Sequence, residues 1–149
     1  MRLGDYVDRS LILNELSAST KEEVLAELVR AIVARHPAVD GASALHVLRE
    51  RERLGSTGIG EGIAIPHGKM SGLDDIIVAV ARSTSGVDFE ALDGRPCHLL
   101  FLVLAPEKVA GVHLRILAHI SRLLKDPAFR KAFMEAPDSE TLHTFLATT

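Results

Sequence analysis

The run Leu99-Leu100-Phe101-Leu102-Val103-Leu104 restricts the fold more than any other segment. Side chains of a strand point alternately to its two faces, and here every one is apolar. Such a strand must be covered on both sides, which places it inside a sheet with further layers above and below. The rest of the chain supplies those layers as helical patterns that precede, separate and follow the strand-like segments. The predicted class is therefore α/β, a sheet covered by helices.

The other elements follow from periodicity. Leu11-Ile12-Leu13-Asn14-Glu15-Leu16 predicts a first short strand. Ser19 with Glu22, or Thr20 with Glu23, fits a capping box. Val24, Leu25, Leu28, Val29, Ile32 and Val33 then recur at helical spacing until His36-Pro37. A second helix is predicted from Ala42 to Arg53, with Leu45 and Leu48 inward. Gly55 to Gly62 is too glycine-rich for regular structure. Ile63-Ala64-Ile65 reads as a strand stopped by Pro66, and Ile76 to Ala81 as a β-branched strand. Val87-Asp88-Phe89 reads as a short edge strand before a turn at Asp93-Gly94. Helices are expected at Gly111–Lys125, Pro127–Glu135 and Ser139–Leu146.

Composition narrows the function. The 149 residues fit one domain, 1–149, able to bury a core without staples. Lys plus Arg number 17 against 20 Asp plus Glu, so the basic excess of a general nucleic-acid binder is missing. Aromatics are 4% with no Trp, which argues against a stacking platform. The one cysteine, Cys97, precedes an apolar strand and reads as a core thiol; it excludes a disulfide framework. No targeting segment or membrane-spanning run is visible, so the expected location is the cytoplasm, without membrane insertion.

The chemistry concentrates in Gly55-Ser56-Thr57-Gly58-Ile59-Gly60-Glu61-Gly62-Ile63-Ala64-Ile65-Pro66-His67-Gly68-Lys69. Its glycines allow tight turns and close approach to a ligand, or serve only as a structural turn. The spacing matches neither a dinucleotide fingerprint nor a P-loop. His67 follows a short strand between Pro66 and Gly68. If one ring nitrogen donates to a backbone carbonyl, the other keeps its lone pair as a nucleophile; the alternative is an ordinary loop histidine. His113 falls within the apolar arc of Val112, Ile116, Leu117, Ile120, Leu123 and Leu124. It also lies in a helix's first turn, where an anion is favoured. It is either a core histidine or a second imidazole facing His67. His119 lies at the margin of that arc, without metal-site spacing. His36, His46, His98 and His143 read as surface or boundary residues. Arg49-Glu50-Arg51-Glu52-Arg53 alternates in sign like a solvated helix end, yet brings a guanidinium close to the glycine-rich loop. Ile59, Ile63 and Met70 surround the motif and are expected to form an apolar docking rim. Glu61 would place a negative charge near any bound phosphate, or point to solvent.

Arg51 to Gly60, followed by Gly62 to Lys69, resembles the active-site signature of the IIA component (EIIA) of the bacterial phosphoenolpyruvate-dependent phosphotransferase system (PTS). The likeness is to the fructose/mannitol type (type 2), and most of all to its nitrogen-regulatory branch, EIIA-Ntr. Val112-His113-Leu114 with Leu117 resembles that family's second histidine segment, and the likeness spans essentially the whole chain. It implies a central mixed β-sheet flanked by helices on both faces. It also implies a phosphocarrier, a phosphotransferase component with a phosphohistidine intermediate. His67 would accept a phosphoryl group, as tele-phosphohistidine, from phosphorylated HPr or its nitrogen-branch counterpart NPr. Arg51 and His113 would flank and stabilise the phosphate, and Ser56, Thr57 and Gly58 match loop residues near it. No metal or cofactor is required.

Within the family two roles are open. A regulator would control partners such as a potassium transporter or a sensor kinase, in nitrogen- or potassium-linked control. A sugar-uptake EIIA would pass phosphate to an EIIB domain. The wording of Ser56 to Lys69, and the expectation of no fused EIIB or carrier domain, favour the regulator. Outside the family, the competing reading is a phosphate-binding module without transfer.

Overall fold

The computed structural model describes residues 2–149. Its centre is a mixed six-stranded sheet. The strands are β1 (Val7–Leu13), β2 (Gly58–Gly60), β3 (Ile63–Ala64), β4 (His67–Met70), β5 (Ile77–Val87) and β6 (Cys97–Pro106). The helices are α1 (Lys21–Arg35), α2 (Gly41–Arg53), α3 (Ala110–Lys125), α4 (Pro127–Glu135) and α5 (Ser139–Ala147). The strand order is β1-β5-β6-β3-β2, with β4 also on β6. β1 runs parallel to β5, β5 antiparallel to β6, and both β3 and β4 parallel to β6.

β6 is covered on both faces, as its sequence demands. Leu100, Leu102 and Leu104 pack with Leu25, Leu28, Ile32 and Leu48 of α1 and α2. Leu99, Phe101 and Val103 face the opposite way, onto Ile116, Ile120, Phe133 and Leu142 of α3 to α5. The cap of α1 is the Thr20–Glu23 box, made reciprocally. Cys97 is buried within the α1/α2 side, and that burial pushes its thiol up to about 11, so it is an inert core thiol.

Four elements differ from the sequence reading. β1 starts at Val7 rather than Leu11, because a bulge between Val7 and Ile12 breaks the alternation that marks a strand. The stretch predicted to be irregular contains β2, which turns back onto β3 as a tight hairpin. Its turn residues Glu61 and Gly62 have φ of 56° and 79°, the sense that suits a short hairpin. Val87 belongs to the end of β5, paired with Cys97, and is not a separate edge strand. β4 has no counterpart in the sequence pattern, since Gly68 and Lys69 carry little strand preference. β3 and β4 are in effect one strand along β6, interrupted at Ile65-Pro66. Pro66 still offers its carbonyl to the Val103 N–H, at 2.9 Å.

Candidate active site

His67 opens β4, in register with Val103, immediately after that interruption. Its Nδ1–H donates to the Ile65 carbonyl at 2.8 Å. This fixes the tautomer and leaves the Nε2 lone pair uncommitted. The Ile65 N–H in turn donates to the Thr57 carbonyl at 3.0 Å. The glycine-rich loop therefore holds the backbone that holds the imidazole.

His113, in the first turn of α3, packs against His67 with ring centroids 5.8 Å apart and planes at 68°. It is 3% exposed, and neither of its ring nitrogens has a hydrogen-bond partner. Burial, with smaller contributions from His67 and Lys69, holds its pKa below the ordinary histidine range. The ring is thus neutral at rest and carries an unused N–H donor. α3 has neither a side-chain cap nor an acidic residue in its first turn, so the helix itself offers nothing to offset the positive end of its dipole near His113.

Arg51, in the last turn of α2, donates from Nη1 to the Gly55 carbonyl at 2.9 Å. α2 packs on β4, where Gly68 lets Val47 approach: a Cβ on Gly68 would sit 3.2 Å from Val47 Cγ2. One open groove is lined by Arg51, His67, Lys69 and His113, joined by His46 and Glu50. Two exposed leucines also line it, Leu54 at 84% and Leu114 at 66% exposure.

The structure thus brings His67, His113 and Arg51 together. Ser56, Thr57 and Gly58 do not line the groove. Ser56 Oγ–H donates to the Phe89 carbonyl, and Ser56 Oγ accepts the Gly58 N–H. Thr57 is buried against Glu52. Gly58 is glycine because a Cβ there would lie 2.9 Å from Ala91 Cα. These residues build the loop. The expected docking rim is also displaced: Ile63 and Met70 are core residues, and exposed Ile59 lies outside the groove. Glu61 points to solvent and pairs with Arg130 of α4 at 3.5 Å, away from the groove. His46, Leu54 and Leu114 were missed as site residues; exposed side chains leave no periodic signal, and only the meeting of α2, β4 and α3 reveals them.

Residues 5–148 match the family model of the phosphoenolpyruvate-dependent sugar phosphotransferase system, EIIA 2. The chain belongs to this family. Among its EIIA relatives is the nitrogen regulatory protein of Bradyrhizobium diazoefficiens, 39% identical over 99% of this chain and 95% of that protein. The fructose-specific EIIABC component of Bacillus subtilis is 34% identical over 95% of this chain, which spans 22% of that larger protein. The crystal structure of IIA-Ntr from Neisseria meningitidis superposes with a TM-score of 0.88 at 31% identity, covering 96% of this chain and 97% of that one. The fold and the EIIA assignment read from the sequence both stand, and the family makes this chain an EIIA phosphocarrier. No helix among the described residues is long and apolar enough to cross a membrane.

Proposed function

We propose that this EIIA accepts a phosphoryl group on His67 Nε2 from a phosphohistidine of a carrier protein, HPr or NPr, and holds it between Arg51 and His113. The carrying observation is the contrast between the two imidazoles. His67 has one nitrogen tied to Ile65 and the other uncommitted, while His113 beside it is buried with no partner for either nitrogen. In the transfer, the Nε2 lone pair of His67 forms a P–N bond as the donor's P–N bond breaks. The electron pair leaves with the donor imidazole. No proton moves at Nε2, and Nδ1–H stays on the Ile65 carbonyl. Such a step needs positioning and charge stabilisation more than covalent help. Arg51 supplies a fixed charge and His113 an N–H, to oxygens that arrive with the phosphoryl group.

The regulatory role, in nitrogen- or potassium-linked control, is supported by the likeness to nitrogen regulatory proteins and by the close superposition on IIA-Ntr. Onward transfer to an EIIB in sugar uptake is the second reading, motivated by fructose-specific relatives, one of which this chain matches over nearly its full length. Incubation with phosphoenolpyruvate, the upstream kinase and the carrier should place one acid-labile, base-stable phosphoryl group on the protein and none on His67→Ala. Labelling of that variant at the wild-type rate would rule out His67. Passage of the label to a purified fructose-type EIIB, at a rate matching that of its own EIIA, would favour sugar uptake over regulation.

A further inference from the structure

Glu52 stands one residue from Arg51, yet its side chain turns away from the groove and inward, at 6% exposure. A carboxylate largely withdrawn from water is costly unless its oxygens are partnered. Here they are. Oε1 takes the Thr57 N–H at 3.1 Å and Lys21 Nζ at 3.0 Å, and Oε2 takes the Thr57 hydroxyl. Lys21 is itself anchored: its N–H donates to the Asp88 carbonyl at 2.8 Å, and its ammonium lies 5.2 Å from the Phe89 ring centroid.

The network does not end at Thr57. The Thr57 carbonyl accepts the Ile65 N–H at 3.0 Å, and the Ile65 carbonyl accepts His67 Nδ1–H at 2.8 Å. A continuous chain of hydrogen bonds therefore runs from a part-buried ion pair between Glu52 of α2 and Lys21 of α1 to the imidazole at the start of β4. A turn of glycine-rich backbone with several positive φ values has little stiffness of its own. Glu52 grips that turn by both backbone and side chain of one residue, and does so from the same helical turn that carries Arg51.

We infer that Glu52 is a positioning residue which, through Thr57 and Ile65, fixes the tautomer and aim of His67. The inference rests on His67 being the transfer histidine only for its kinetic consequence; its structural content is tested without phosphate. Thr57→Val keeps the shape and the N–H but removes the hydroxyl. Glu52→Gln removes the charge. Thr57→Ser restores the hydroxyl and serves as the rescue.

The experiment is 15N NMR of the His67 ring in the full chain at about pH 8.5, where imidazole is neutral. Wild type should show one protonated and one pyridine-type nitrogen, the Nδ1–H tautomer. In Thr57→Val and Glu52→Gln the two signals should move toward each other as the tautomers mix, and in Thr57→Ser they should return. The phosphorylation rate from phosphorylated carrier should fall about two- to tenfold in Thr57→Val, less than the full worth of a hydrogen bond to a carboxylate because the hydroxyl acts on His67 only through Ile65. Unmoved ring signals in both variants, or no recovery in Thr57→Ser, overturn the inference whatever the rates. Shifted and rescued signals in a protein that never takes phosphate uphold it and sink the transfer reading instead.

Discussion

Replacing His113 with leucine should make the resting protein more stable and a poorer phosphocarrier. A buried polar group without a partner costs about 1–3 kcal/mol, and His113 has no partner for either ring nitrogen. Leucine at a site 3% exposed removes that cost and adds apolar contact with the Ile116 side of α3. In a domain of this size each kcal/mol moves Tm by roughly 2–4 °C, so His113→Leu should melt at least about 2 °C higher. On the proposed function, the same change removes a donor to the phosphoryl group. A hydrogen bond to a charged partner is worth about 1.5–3 kcal/mol, and transfer should slow at least tenfold.

The pH dependence gives an independent signature. Burial lowers the folded pKa of His113 below its ordinary value of 6.5. Between that lowered value and 6.5 the unfolded chain binds a proton that the folded chain refuses. Stability contributed by neutral burial is therefore present above 6.5 and is lost as pH falls through that window. The variant lacks this loss, so its Tm advantage should widen between pH 8 and about pH 5. Differential scanning calorimetry across that range, with a transfer assay on the same samples, checks both halves. A variant that melts lower and keeps the wild-type acid slope refutes the stability reasoning, and wild-type transfer refutes the clamp.

If Arg51 and His67 act as proposed, Arg51→Ala should slow phosphorylation about ten- to a hundredfold while leaving the label on His67, since one charge-assisted contact would be lost and the nucleophile kept; labelling kinetics with site mapping tests this. Leu54→Asp and Leu114→Asp should raise the KM for the phosphorylated carrier with Tm unchanged, because both side chains are already in solvent at the groove's edge. Such encounters are small and weak, and an apolar rim carries them. Glu61→Ala should change transfer by less than about twofold and stability by less than about 1 kcal/mol, the ceiling for an exposed pair such as Glu61–Arg130; chemical denaturation and a transfer assay suffice.

Sequence legibility followed how strongly each residue's pattern is forced by burial. β6 was legible because every residue from Leu99 to Pro106 is buried, and α3 because Ile116, Ile120 and Leu124 repeat on one buried face that also takes in His113. β4 was illegible for the opposite reason: it is short, half-open and built of His67, Gly68 and Lys69, and only β6 makes it a strand. Thr57 shows a different failure. Its residue type near a phosphate motif suits a ligand contact, whereas its burial against Glu52 is a tertiary fact absent from the local sequence. Arg51 was placed by its likeness to a family residue, not by its pattern, which is that of any charged helix end.

The site's central economy lies in the interruption at Ile65-Pro66. In an unbroken strand each carbonyl points along the sheet into a ladder hydrogen bond, out of reach of a side chain two residues on. Pro66 has no N–H to lose, so the chain can leave the ladder there without orphaning a donor. That departure turns the Ile65 carbonyl toward the His67 ring and leaves the ladder to resume at once with β4. The partner that fixes the tautomer of His67 is thus backbone, which does not titrate. His113, one helix away, is denied any such partner and is held neutral by burial. Two side chains of one chemical type are thereby set apart by a single hydrogen bond, one with a lone pair presented and the other with its donor still unspent. On the proposed function, a phosphoryl group arriving between them would meet the nucleophile and the stabiliser in those roles without any proton having to move first.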